Sequence, residues 1–320
     1  MPGSDTPSQV GPYRLLEALG RVGSVTTYKA AGPDRNRPVA VRLLSPRLTE
    51  SAAAFDRFRR DAETLRQLHH PNLVQVLAVG QEGEWPYVAM EFLEGRPLDL
   101  LLRERRLKVP EACLVFRGIC RGLAHAHQHG VVNRYLKPRD VFVSPDLSVV
   151  KLADFGLGRV ESLGTTGTLN TGSIVLGALP YLAPEVVDSQ ASPLGEPDHR
   201  ADLYAAGVMF HEMLTGRAPS GKFALPSQLN PDLPPQADTL VMKCLARNPL
   251  QRYATAIDLL EELTRLEEAL NLRVISEIRG ITAAGSKLLA PAPEGGKRRW
   301  LIAAGVLLLL AAAAAFLLLR

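Results

Sequence analysis

The spacing of apolar residues changes once along this chain, near residue 98, and that change constrains the fold more than any other feature. Before it, apolar and polar residues alternate around Tyr13 to Leu16, Val25 to Ala30 and Pro38 to Leu44, with Gly and Asn/Pro turns between them. A period of two places successive side chains on opposite faces of a strand, so these segments are expected to form an antiparallel sheet. One interruption is helical: Phe55, Phe58, Ala62, Leu65 and Leu68 share a helix face. From Leu98 onward the spacing is mostly helical, as in Ala112 to His127, Leu203 to Thr215 and Ala254 to Leu270. Strands followed by helices predict an α+β architecture.

Short motifs punctuate this pattern. Val132-Asn133-Arg134-Tyr135-Leu136-Lys137-Pro138-Arg139-Asp140 is followed by Asp154-Phe155-Gly156 and then by Ala183-Pro184-Glu185. Upstream lie Leu19-Gly20-Arg21-Val22-Gly23-Ser24-Val25 and Val39-Ala40-Val41-Arg42. In order and spacing they resemble the H-R-D-L-x-x-x-N, D-F-G, A-P-E, glycine-rich and V-A-I-K motifs of protein kinases. His70-Pro71-Asn72-Leu73-Val74, Met90-Glu91-Phe92-Leu93-Glu94-Gly95 and Arg200-Ala201-Asp202-Leu203-Tyr204 extend the likeness. From about Tyr13 to about Leu266 the chain resembles the bacterial branch of eukaryotic-like (Hanks-type) serine/threonine kinases.

That resemblance implies a two-lobed protein-kinase-like fold: a small antiparallel β lobe with one regulatory helix, then a large helical lobe. The expected organisation is a disordered N-terminus (1–12), N-lobe and hinge (13–95), C-lobe (96–270), juxtamembrane linker (271–299) and transmembrane helix (300–319). It also implies a nucleotide site at Gly20, Val22, Val25, Ala40, Arg42, Asp61, Met90, Glu91, Leu93 and Phe142, a metal site at Asp140 and Asp154, and a role for Lys137 beside the transferred phosphate. ATP and Mg or Mn are the cofactors of the family.

Several of these positions depart from the family pattern. Tyr135 stands where a carboxylate accepts the proton of the substrate hydroxyl, and a phenol holds its own proton at neutral pH. Loss of a general base typically costs about 10²- to 10⁴-fold in rate. Val22 and Val25 replace glycines, and β-branched side chains stiffen and crowd a turn that must approach phosphate closely. Arg42 keeps the charge of the expected lysine without its slim geometry. Asp61 is one methylene shorter than the expected glutamate, so a longer Arg facing a shorter Asp is expected to pair across the lobe. Phe142 puts a phenyl ring where the family has a small aliphatic side chain beneath adenine. Gly177-Ala178 replaces the usual G-T.

Asp140, by contrast, exchanges an amide for a second carboxylate, which favours a hard cation. Glu185 with Arg252, and Asp202, resemble the family's buried ion pair and loop-bracing aspartate. Thr165, Thr166, Thr168, Thr171 and Ser173 are candidate phosphorylation sites, with Arg134 as a phosphate partner. His125 and His129 share a helix face, but no third metal ligand is evident.

The net charge of +4 is small for 320 residues, and no long basic block accompanies it, so nucleic acid is not an expected partner. Cys113, Cys120 and Cys244 form no C-x-x-C pair, which fits a reducing compartment and burial. Trp300 to Leu319 carries no charge or proline. Its length of about 30 Å as a helix matches a bilayer core. Lys297, Arg298 and Arg299 before it, against Arg320 alone after it, predict a single-pass, tail-anchored protein of the cytoplasmic membrane whose kinase-like domain faces the cytoplasm. Ala311 and Ala315 are spaced for a homodimer.

Together these features predict a membrane-tethered pseudokinase, a regulatory or scaffolding module that binds a kinase, substrate or envelope protein in bacterial phospho-signalling. The alternative is a weak or atypical serine/threonine protein kinase, and a third reading is a nucleotide-binding switch without transfer.

Overall fold

The computed structural model describes residues 6–22, 25–34, 37–46, 52–153, 179–188, 196–221 and 223–271, with residues 22, 52–54 and 57 described by backbone alone. Asp154, Gly177, Ala178, the candidate phosphorylation sites and the apolar run 300–319 lie outside them. Among the described residues, no helix is long and apolar enough to cross a membrane.

The alternating segments form strands as expected, and they run further than the alternation alone implies. β1 (Gln9–Val10), β2 (Tyr13–Val22), β3 (Val25–Ala31), β4 (Pro38–Leu44), β5 (Val76–Glu82) and β6 (Trp85–Glu91) make an antiparallel sheet in the order β1-β2-β3-β4-β6-β5. Between β4 and β5 comes α1 (Ala52–Gln67), the predicted helix. Tyr13, Ala30, Val39, Val41, Leu43, Tyr87 and Ala89 are buried together on one side of the sheet. Val10 joins them with no exposed surface. That burial is why Gln9–Val10 pairs with β2, although the polar composition of residues 1–12 predicts disorder.

After β6 the chain turns helical. β7 (Arg96–Pro97) leads into α2 (Leu98–Glu104) and α3 (Val109–Gln128), and β8 (Val141–Val143) and β9 (Val150–Leu152) complete a second sheet in the order β7-β8-β9. α4 (Pro184–Val187), α5 (Arg200–Thr215), α6 (Pro226–Leu229), α7 (Pro235–Cys244) and α8 (Ala256–Ala269) follow. Local chemistry sets the ends of the longer ones. α3 begins where Glu111 accepts a hydrogen bond from the Lys108 backbone N–H at 2.8 Å. At the start of α8, Thr255 Oγ1 accepts from Asp258 N at 3.2 Å while Asp258 Oδ2 accepts from Thr255 N at 2.8 Å, a reciprocal capping box. α5 stops at Gly216, whose φ of +79° is a left-handed turn that other residues resist.

Residues Ala112, Val115, Phe116, Ile119, Cys120 and Leu123 form the buried stripe of α3. Phe116 stacks on Phe210 of α5 with ring centroids 4.0 Å apart. α5 itself is buried on nearly every side, as expected of a helix at the centre of a helical layer. The three cysteines are free and buried, and burial pushes the Cys113 and Cys244 thiols up to about 12.

Candidate functional site

Strand parity builds the roof of the site. In register, Gly20 faces Thr27 and Thr27 faces Arg42; two residues along, Ala40 faces Met90. With a period of two these residues share one face of the sheet. They line a cavity of about 400 Å³ together with Leu19, Val25 and Val74. β6 then delivers Glu91, Phe92 and Leu93 to its rim. Gly95 lies in the connection after β6: its φ is +154°, and a Cβ there would clash with the Val143 carbonyl oxygen, so only glycine lets the chain pass β8. Pro97, Leu100, Phe142 and Ala153 form the opposite wall, and Lys137, Arg139 and Asp140 the polar end.

Ten of the residues expected at the site therefore converge on one cavity: Gly20, Val25, Ala40, Arg42, Met90, Glu91, Leu93, Lys137, Asp140 and Phe142. Phe142 is one wall of the cavity, which keeps a volume within the ordinary range of ligand sites, roughly 300–1,000 Å³. Thr27 and Phe92 also line it, and the motifs alone do not single them out. Thr27 is within reach of parity, since it is two residues from Val25 on the same strand.

Other expected residues lie elsewhere. Val22 pairs with Val25 at the end of the β2–β3 hairpin, so these two extend the ladder where the family opens a glycine turn. Asp61 sits on α1 outside the cavity lining, and among the described residues no ion pair joins it to Arg42. The expected Arg42–Asp61 bridge is thus not formed. Arg42 reaches the cavity from β4. Asp154 lies outside the described residues.

Below the cavity, the loop from Asn133 to Asp140 is held by Asp202 at the start of α5. Asp202 Oδ2 accepts from Asn133 N at 2.9 Å and Oδ1 from Arg134 N at 2.6 Å, and His127 Nε2 lies 2.9 Å from Oδ2. Arg134 takes φ of +69° in this turn. Asn133 Oδ1 accepts from Tyr135 N at 3.0 Å. Tyr135 itself is half-buried and lies outside the cavity lining.

Asp140 is buried, with 4 % of its surface exposed. Its carboxylate turns back on its own loop: Oδ2 accepts from Lys137 N at 3.0 Å, and the Lys137 ammonium lies 3.0 Å from Oδ1 and 3.3 Å from Oδ2. The second carboxylate, expected to strengthen a metal site, is matched by a cation the chain already carries. At the rim, Glu91 is matched in the same way by Lys151 at 2.5 Å.

The histidines on α3 part company. His127 turns to Asp202, while His125 stacks on His70 (4.9 Å) and lies 4.4 Å from His129. Among the described residues no group of three potential ligands could hold a metal ion. Burial, then the neighbouring His125, Arg121 and Lys151, lowers the pKa of His70; burial, then His129 and His69, lowers that of His125. A base whose folded pKa lies below its unfolded value of about 6.5 is protonated more readily on unfolding, so stability is retained above that pH and lost below it. Thermal melts between about pH 7 and pH 5 are expected to show falling Tm, and His125→Gln is expected to flatten that slope.

The whole arrangement matches known proteins. A family model described as "Protein kinase domain" fits residues 13–263. Serine/threonine-protein kinase PknL of Mycobacterium tuberculosis is 37 % identical over 275 residues, covering 81 % of this chain and 67 % of the relative. Serine/threonine-protein kinase PrkC of Bacillus subtilis is 31 % identical over 264 residues, covering 78 % of this chain and 39 % of the relative. The crystal structure of the Mycobacterium tuberculosis PknI kinase domain shares the fold with a TM-score of 0.64 at 22 % identity, covering 82 % of this chain and 99 % of that one. The chain spans two thirds of PknL and about two fifths of PrkC, and within that span it belongs to the bacterial Hanks-type serine/threonine protein kinase domain family.

Proposed function

We propose that this chain is an ATP-binding domain with weak serine/threonine phosphotransfer activity, tethered to the cytoplasmic membrane by residues 300–319. The observation that carries the nucleotide reading is the convergence of the cavity residues, from Gly20 and Ala40 to Glu91 and Phe142, on one space of about 400 Å³. Apolar walls at Val25, Ala40 and Met90 suit a purine, and Arg42, Lys137 and Arg139 suit phosphates. ATP, when bound, would supply the phosphoryl group. Relatives named as serine/threonine kinases favour transfer over the pseudokinase reading.

The chain's own residues set how fast such transfer runs. Asp202 holds the loop backbone, Lys137 lines the cavity, and Arg42 offers a fixed charge from the roof. Position 135 holds a phenol and not a carboxylate to take the proton of an incoming hydroxyl. Tyr135, with an expected deficit of about 10²- to 10⁴-fold, is the specific observation that keeps a second reading, a pseudokinase scaffold, in play.

The test is radiolabelled phosphate incorporation by the purified full-length chain from γ-labelled ATP. The expected result is slow autophosphorylation, about 10²- to 10⁴-fold below that of a relative with an intact base, and abolished in Asp154→Ala. Labelling absent throughout with nucleotide binding intact would leave the switch, and absence of both labelling and binding would leave the scaffold.

A further inference from the structure

The family's metal chemistry and this cavity disagree at Asp140. A carboxylate at that position has at most about four lone-pair directions to offer a cation, and here at least three are directed at Lys137: two at its ammonium and one at its backbone N–H. Asp140 is buried, whereas the Lys137 side chain keeps 30 % exposure and lines the cavity. A divalent ion entering there would have to expel an ammonium already bound to both oxygens.

The spacing explains why this pairing forms. Lys137 precedes the single 3₁₀ turn Pro138–Asp140, and Asp140 at its third position folds back to accept the Lys137 N–H. An amide at position 140 could bond that N–H but would carry no charge to draw the ammonium across. The lysine and the carboxylate are therefore one unit, created by the replacement at 140.

We propose that the Lys137 ammonium stands in for the divalent cation at Asp140, so that this cavity takes a nucleoside triphosphate without requiring a metal at that position. The inference rests on the nucleotide reading above and deepens it. Charge at the polar end supports it. Besides Lys137, the cavity carries Arg42 and Arg139, and among its described lining residues the second acid, Glu91, has Lys151 as a counter-ion. Among the described lining residues, the polar end thus carries Lys137, Arg42 and Arg139 against Asp140 and Glu91, each of which faces a lysine.

Two measurements on the full-length chain in detergent test this. In the first, Mn²⁺ alone is titrated and followed by electron paramagnetic resonance. Wild type is expected to show no site dependent on Asp140, and Lys137→Ala to gain one that Lys137→Ala with Asp140→Asn loses again. In the second, a fluorescent ATP analogue is titrated in excess EDTA and in excess Mg²⁺. Wild-type affinity is expected to differ by less than about threefold between the two, while Lys137→Ala binds about tenfold more weakly in EDTA than in Mg²⁺, a difference of about 1.4 kcal/mol. Lys137→Arg, which keeps the charge, should behave like wild type, and a thermal melt of each variant confirms that it is folded. A wild-type Mn²⁺ site abolished by Asp140→Asn, or a tenfold or larger loss of wild-type nucleotide affinity in EDTA, overturns the proposal. Absence of nucleotide binding in both buffers overturns the nucleotide reading and this inference with it, whatever the Mn²⁺ titration shows.

Discussion

Replacing Arg252 with alanine is expected to destabilise the domain by about 3–5 kcal/mol, the cost of leaving a buried charge without its partner. Arg252 and Glu185 are both buried, and they meet through two parallel bonds, Nη1 to Oε1 at 2.6 Å and Nη2 to Oε2 at 2.8 Å. The remaining guanidinium hydrogens are used as well: Nε donates to the Ala246 carbonyl at 2.8 Å, and Nη1 to that of Arg200 at 3.1 Å. The cation also lies 4.9 Å from the Tyr204 ring. One side chain thus ties α4, the start of α5 and the loop after α7 together.

At about 2–4 °C per kcal/mol for a domain of this size, the melting temperature should fall by on the order of 10 °C. Arg252→Lys keeps the charge but cannot form the fork, so it should fall between the two. The double replacement Arg252→Met with Glu185→Leu should recover much of the loss, because it removes both buried charges at once. Circular dichroism melts of the set check this. A double variant no more stable than Arg252→Ala would show that the loss comes from packing and from the carbonyls, and not from the stranded carboxylate.

This pair is legible in the amino-acid sequence, because Glu185 sits in a recognisable motif and Arg252 at a recognisable distance from it. Positions that depend only on chain order or on local period are equally legible. α1, α3, α5 and α8 fall where helical spacing puts them, and β2 to β4 where alternation does. β6 is harder, since Tyr87-Val88-Ala89-Met90 is buried on both faces and shows no alternation to read.

Pairings across space are the least legible. An Arg42–Asp61 bridge follows from a strand position and a helix position, but whether two side chains meet depends on the separation of helix and sheet, which neither segment encodes. A metal-ligand role for Asp140 follows from analogy with the family. Its neighbour three residues back, in a turn tight enough to bring the two together, is the local signal that it satisfies itself.

Asp202, which reaches the loop from far along the chain, is the more consequential residue for the site. Asp202→Ala is expected to cost about 2–6 kcal/mol, because it strands the buried N–H of Asn133 and that of Arg134, each worth about 1–3 kcal/mol when left without an acceptor. It also takes away the carboxylate that faces His127 Nε2. The loop should loosen more than the domain as a whole, since Arg134 holds a left-handed φ of +69° that side chains resist without such anchoring. Hydrogen exchange should therefore accelerate at residues 133 to 136 well before global unfolding, and nucleotide affinity should fall as Lys137 and Asp140 lose their placement beneath the cavity. Asp202→Asn keeps one acceptor and sets an N–H₂ group against the other backbone donor, so its effect should be intermediate. Exchange at 133–136 that tracks global stability in both variants would mean that the turn is held from elsewhere, and that the placement of Lys137 does not depend on α5.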